Sequence, residues 1–128
     1  MGDRSNIFFR NSNGGIGVYG HWTGSRMAGA AMAVLNNKAF TERIGDAAYA
    51  TRIGVQTVLN VLGADPFCDT GFGLWTDKMG EGDNSYRFIV IDVDDGNVYV
   101  ADDWRNVNKC DLVEEPSQES LQAMLTHA

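Results

Sequence analysis

The sequence predicts a single α+β domain, with an antiparallel or mixed sheet of about five strands and two central helices packed on one face. Three observations lead there. Two glycine-containing turn signals, Asn13-Gly14 and Asp94-Asp95-Gly96-Asn97, each lie between apolar stretches and read as hairpins. Between them stand two segments with apolar residues at helical spacing. The chain has 128 residues, 44% hydrophobic and 21% charged, an ordinary globular composition for one domain with its own core.

The elements follow in the order β-β-α-α-β-β-β-α. Residues 5–10 and 16–22 read as strands around the first turn. With Asn13-Gly14 as a two-residue turn, Phe9 faces Val18, Phe8 faces Tyr19 and Asn6 faces His21. One face then carries Ile7, Phe9, Ile16, Val18 and Trp22, and the other Asn6, Phe8, Arg10, Tyr19 and His21. A helix over 26–36 takes Ser25 as its cap, with Met27, Ala30, Ala31, Val34 and Leu35 inward. A second begins after Asp46, runs to Leu62 and stops on Gly63. Its stripe is Val55, Val58, Leu59 and Leu62, extended backward by Ala48 and Thr51 and flanked by Arg52. Residues 71–76 form a short strand, and residues 79–85 a polar turn. The apolar run 86–93 has the pattern of a central strand covered on both sides, and 98–100 pairs back on it. A short helix over 116–127 closes the chain, with Pro116 in its first turn and Leu121, Met124 and Leu125 inward. Val55, Leu59, Ile89 and Ile91 are expected in the core.

Charge is unevenly spread. Residues 1–64 hold six Arg/Lys and three Asp/Glu, a net of +3; residues 65–128 hold four and fourteen, a net of −10. An acidic half repels phosphates, so direct nucleic-acid binding is not expected there. It suits a partner protein with a basic surface, or solubility. Asp94, Asp102, Asp103 and Trp104 are the expected partner-contacting residues, and Trp75 is expected to be exposed with Trp104. Cys68 and Cys110 stand apart, without a zinc spacing, and no metal or cofactor is expected. No leader and no bilayer-length apolar run is read, so a cytoplasmic protein is expected.

Catalytic chemistry has few places to sit. His21 is the residue whose charge moves most readily near neutrality; oriented by Asn6 and beside Tyr19, it would suit a general base. The competing reading is a hydrogen-bonded histidine at a strand end with Trp22 in the core. Arg4, Asn6, His21 and Arg52 are candidate ligand-binding residues, suited to a small anion. Arg52 would otherwise extend outward from its stripe or bond buried acceptors. The run from Asp92 fails the calcium-loop pattern, because Gly96 and Asn97 fall at its fifth and sixth positions. Gly71-Phe72-Gly73 lacks phosphate-loop spacing.

The start Met-Gly-Asp-Arg-Ser-Asn-Ile, followed by Val-Tyr-Gly-His-Trp-Thr-Gly, resembles a group of small phage and prophage proteins in which an early strand precedes a Tyr-x-His-Trp-x-Gly-like stretch. The likeness covers about the first 25 residues. Thr23 departs from the Gly or Asp often found there. The resemblance implies a phage origin and a fold, not an activity. Two functions follow as expectations. One is an accessory protein that binds, and inhibits or modulates, a host enzyme or defence protein through its acidic surface. The other is a small enzyme or anionic-ligand binder built on His21, Tyr19, Arg4 and Arg52.

Overall fold

A computed structural model describes residues 3–67, 71–76, 86–102 and 110–126. Among the described residues six strands form one mixed sheet: β1 (Ser5–Asn11), β2 (Gly14–Gly20), β3 (Phe72–Trp75), β4 (Phe88–Asp92), β5 (Val98–Ala101) and β6 (Cys110–Val113). Their spatial order is β3-β2-β1-β4-β5-β6. The central pair β1–β4 is parallel and every other neighbour antiparallel. Four helices accompany them: α1 (Met27–Leu35), α2 (Lys38–Thr41), α3 (Ala47–Leu62) and α4 (Gln118–Leu125).

The predicted class and the two central helices hold. Two elements were missing from the prediction: the one-turn helix α2, capped by the Asn37 side chain, and the edge strand β6. The expected turn over 79–85 lies outside the described residues. The last helix starts on Gln118, two residues later than expected, with Pro116 outside it and Ser117 as its cap. That side chain accepts from the Ser120 N–H while Ser120 Oγ accepts from the Ser117 N–H, a reciprocal cap. Ser25 does not cap α1. The backbone N–H groups of Arg26 and Met27 instead donate to the Thr23 carbonyl.

The first hairpin is slipped by two residues from the predicted register. Asn11 pairs with Gly14 and Asn6 with Tyr19, so Ser12 and Asn13 make the turn. Two side chains capture it there. Asn11 Oδ1 accepts from the Asn13 N–H at 2.7 Å, and Asp94 accepts from the Ser12 N–H at 2.9 Å, tying the two hairpin turns together. A shift of two preserves the alternation of the strands, so the residues within β1 and β2 keep their predicted faces.

That alternation builds two cores. Ile7, Phe9, Val18, Ile89, Ile91 and Val100 point toward the helices and are buried with Met27, Val34, Val58 and Leu121. Helices α3, α1 and α4 lie side by side on this face: α3 over β1 and β2, and α4 over β4 and β5. The opposite face holds a smaller core of Phe8, Trp75, Phe88, Val90 and Ala101. Phe8 and Trp75 stack with centroids 5.0 Å apart. The Trp75 indole N–H donates to Asn6 Oδ1 at 2.8 Å. Trp75 is therefore buried, correcting the expectation of an exposed aromatic. Gly17 makes the room, because a Cβ there would meet the indole.

Candidate functional site

Helix α3 decides where a ligand could sit. Its buried row is Ala50, Gly54, Val58 and Leu62, with Thr51 beside it. At Gly54 the helix comes so near the sheet that a Cβ would meet the Phe9 ring, 2.8 Å from Cζ and 3.0 Å from Cδ1. The helix ends as predicted on Gly63, in the left-handed region at φ 77°, a conformation glycine adopts without steric cost. Arg26 Nη2 adds a 2.8 Å bond to the Leu62 carbonyl, placing a cation at the negative end of the helix.

Because 50, 54, 58 and 62 face the sheet, Val55 and Leu59 turn to one side. They are half-buried, correcting the expectation that both lie in the core with Ile89 and Ile91; those two are fully buried. With Ile16 of β2 and Phe72 and Leu74 of β3, they line an open groove of 1130 Å³ between α3 and the β2–β3 side of the sheet. Large apolar side chains are exposed in this part of the chain: Tyr49 and Val61 on α3, Phe67 just after it (95% exposed), and Leu74 (50%). Of these, Leu74 lines the groove itself, while exposed apolar residues taken singly are commonplace.

One end of the groove is polar. Asn11, Asn13, Thr51, Arg52 and Gln56 line it. Arg52 is exposed and its Nη1 donates to Gln56 Oε1 at 2.7 Å, using one of five guanidinium donors. Thr51 is 7% exposed, and among the described residues its hydroxyl has no hydrogen-bond partner. Thr57, one turn and a half further on, bonds the Ile53 carbonyl at 2.7 Å, the usual recourse of a helical threonine. Of the charged groups lining the groove among the described residues, Arg52 stands at this end and Asp65 beyond the end of α3.

The sequence-predicted residues divide among three places. Tyr19 and His21 share a face as expected, with Tyr19 Oη 3.1 Å from His21 Nδ1. Asn6 lies opposite Tyr19, not His21, and its carbonyl oxygen accepts from Trp75. The His21 backbone N–H donates to the Gly71 carbonyl at 2.8 Å, a bond that does not involve the imidazole. Trp22 is not core: it is 65% exposed, in the left-handed region at φ 63°. The turn is clamped on either side. Thr23 and Gly24 N–H groups both donate to the Asp3 carbonyl, and the buried Thr23 hydroxyl bonds Ser5 Oγ and the Gly20 carbonyl. Arg4 immediately precedes β1, partly buried. The groove takes in Arg52 but not Arg4, Asn6, Tyr19 or His21, so the four candidate ligand residues do not converge on it.

The acidic candidates are engaged within the fold. Asp94 holds the first hairpin turn. Asp102 accepts from Arg87 Nε at 3.0 Å, and Asp111 from Nη2 of the same arginine at 2.8 Å. Burial lowers the Arg87 pKa, but the bonds and charges of Asp111 and Asp102 outweigh it and hold the guanidinium above its ordinary value. Asp103 and Trp104 lie outside the described residues. On the second face Arg10 pairs with Asp92 at 3.2 Å and lies 4.7 Å over the Tyr99 ring, with Cys110 Sγ at 4.0 Å from Nη1. Among the described residues no group of three His, Cys, Asp or Glu side chains is placed to hold a metal ion, and no helix is long and apolar enough to cross a membrane. Compared with protein-family models, with curated proteins and with solved structures, the chain matches none of them.

Proposed function

We propose that this chain acts by binding, and that its binding site is the groove between α3 and the β2–β3 side of the sheet. The observation that carries the reading is the lining: apolar walls from Ile16, Val55, Leu59, Phe72 and Leu74, with a few polar side chains, Thr51 and Arg52 toward one end and Asn60 and Asp65 toward the other. That is the chemistry of a ligand site, mostly apolar with a few placed polar groups. It differs from an acid–base site, which needs a base, an orienting group and a reacting atom within hydrogen-bond reach.

The groove is favoured over the acidic second half as the binding surface. Asp102 and Asp111 share Arg87, which offsets one of their two charges, and Asp94 is committed to a turn. The accessory role in a bacteriophage stays part of the proposal, resting on the resemblance of the first 25 residues.

The test is a neutral dye that brightens in apolar surroundings, N-phenyl-1-naphthylamine. It should bind the wild-type chain and lose binding in Leu59→Glu and Leu74→Glu, both at half-buried or exposed positions, with circular dichroism unchanged. Equal binding by folded variants refutes the assignment.

A further inference from the structure

The two ends of the groove differ in a way that defines its ligand. At the polar end the exposed Arg52 supplies a cation that is bonded to Gln56, with Asn11 and Asn13 in the same lining. The Thr51 hydroxyl, nine-tenths buried on the same wall, has no partner among the described residues. A buried hydroxyl left without a partner is costly, and a ligand oxygen would complete it once a small side-chain shift uncovers it. From Arg52 toward the end of α3 the wall becomes Val55 and Leu59, facing Phe72 and Leu74, over about 15 Å at the helical rise; beyond them stand Asn60 and Asp65, which is anionic where Arg52 is cationic. No other cation lines the groove among the described residues.

We propose that the groove binds a single-chain amphiphile with an anionic head, of the fatty-carboxylate class. The head lies at Arg52 and Thr51, and the alkyl chain runs along Val55 and Leu59 toward Phe72. This rests on the groove being the binding site and adds the class of ligand. A carboxylate suits the arginine because its two oxygens match the guanidinium fork, a stronger contact than a neutral hydrogen bond. The remaining oxygen lone pairs accept from the Thr51 hydroxyl. An alkyl chain suits the walls because each methylene it buries against them adds affinity.

Displacement of the neutral dye separates the two claims. Decanoate, 1-decanol and decyltrimethylammonium share a chain and differ in head charge. Decanoate should displace the dye most strongly, about tenfold better than the alcohol, with the ammonium weakest. Arg52→Gln should weaken decanoate about tenfold and leave the alcohol and the dye unchanged. Thr51→Val should weaken decanoate a few-fold while leaving the fold as stable as before or more so, since it removes an unpartnered polar atom. If decanoate and the alcohol bind alike, or Arg52→Gln affects neither, the anionic-head assignment is wrong while the groove stands. If no chain displaces the dye but Leu74→Glu abolishes dye binding, the amphiphile is ruled out while the groove stands. If the dye ignores Leu59→Glu and Leu74→Glu, the groove itself is not the site.

Discussion

Gly54→Ala tests the geometry that creates the groove. On an isolated helix this change is favourable by about 1 kcal/mol, because alanine has the better helix propensity. Here the added methyl meets the Phe9 ring at atoms 2.8 and 3.0 Å away, well inside ordinary carbon contact of roughly 3.5–4.0 Å. The ring has little freedom to retreat. Phe9 is fully buried and its other side meets Phe40 edge-on, with centroids 6.2 Å apart. Overpacking of this kind costs about 1–3 kcal/mol; with both rings fixed the upper value applies. Set against the propensity gain, a net loss of about 2 kcal/mol is expected, which for a chain of this size lowers Tm by roughly 6–12 °C. Urea unfolding followed by circular dichroism measures it. Gly63→Ala is the matched control: nothing lies within 4 Å of its Cβ, so only the left-handed backbone is strained, at about 1 kcal/mol. A Gly54→Ala variant that gains stability would show that α3 does not rest on Phe9. The groove beside it would then have a different shape.

Other substitutions test neighbouring parts. Leu121→Ala should cost about 2–5 kcal/mol as a fully buried deletion, whereas Leu59→Ala, half-buried at the groove, should cost clearly less; equal losses in denaturant would place Leu59 in the core after all. Ser117→Ala removes the reciprocal cap of α4 and should cost about 1 kcal/mol, measured the same way; no loss would mean the cap is dispensable. Tyr86 donates to Asp3 Oδ1 at 2.6 Å, and this bond, then burial and the Asp3 charge, raise its pKa above 10.0. A folded-state pKa above the unfolded value means stability is full below about pH 10 and falls as pH rises through the raised pKa. Tyr86→Phe should flatten that alkaline decline in Tm. An unaltered decline would assign it to other groups.

Much of the fold was legible because it is written locally. The stop at Gly63 and the alternation of β1 and β2 follow from residues next to one another in sequence. The alternation survived a misread turn because the slip was even. What stayed hidden depends on distant partners. Asp94 shifts the first turn from 82 positions away, and the parallel pairing of β1 with β4 joins strands separated by three helices. Strand β6 begins Cys-Asp, too short and polar to stand out. Trp75 looked exposed because its cover comes from Phe8, Phe88 and the space left by Gly17; that glycine inside a strand was the available signal. The groove was hidden for a similar reason. Val55 and Leu59 share a stripe with Val58 and Leu62, and periodicity cannot say that the sheet covers only the row containing Gly54. Arg52 was singled out by its place beside that stripe, but its company there, Thr51, Gln56 and the hairpin residues Asn11 and Asn13, emerged only in three dimensions.

The most direct measurement is a two-dimensional amide NMR titration of the wild-type chain with decanoate below its micelle concentration. The shifts should be largest at Ile16, along Thr51–Leu59 and at Phe72–Leu74, and should saturate together with one dissociation constant. Shifts confined to Tyr19, His21 and Trp22, or to Asp94 and Asp102, with the α3 amides unmoved, would contradict the account.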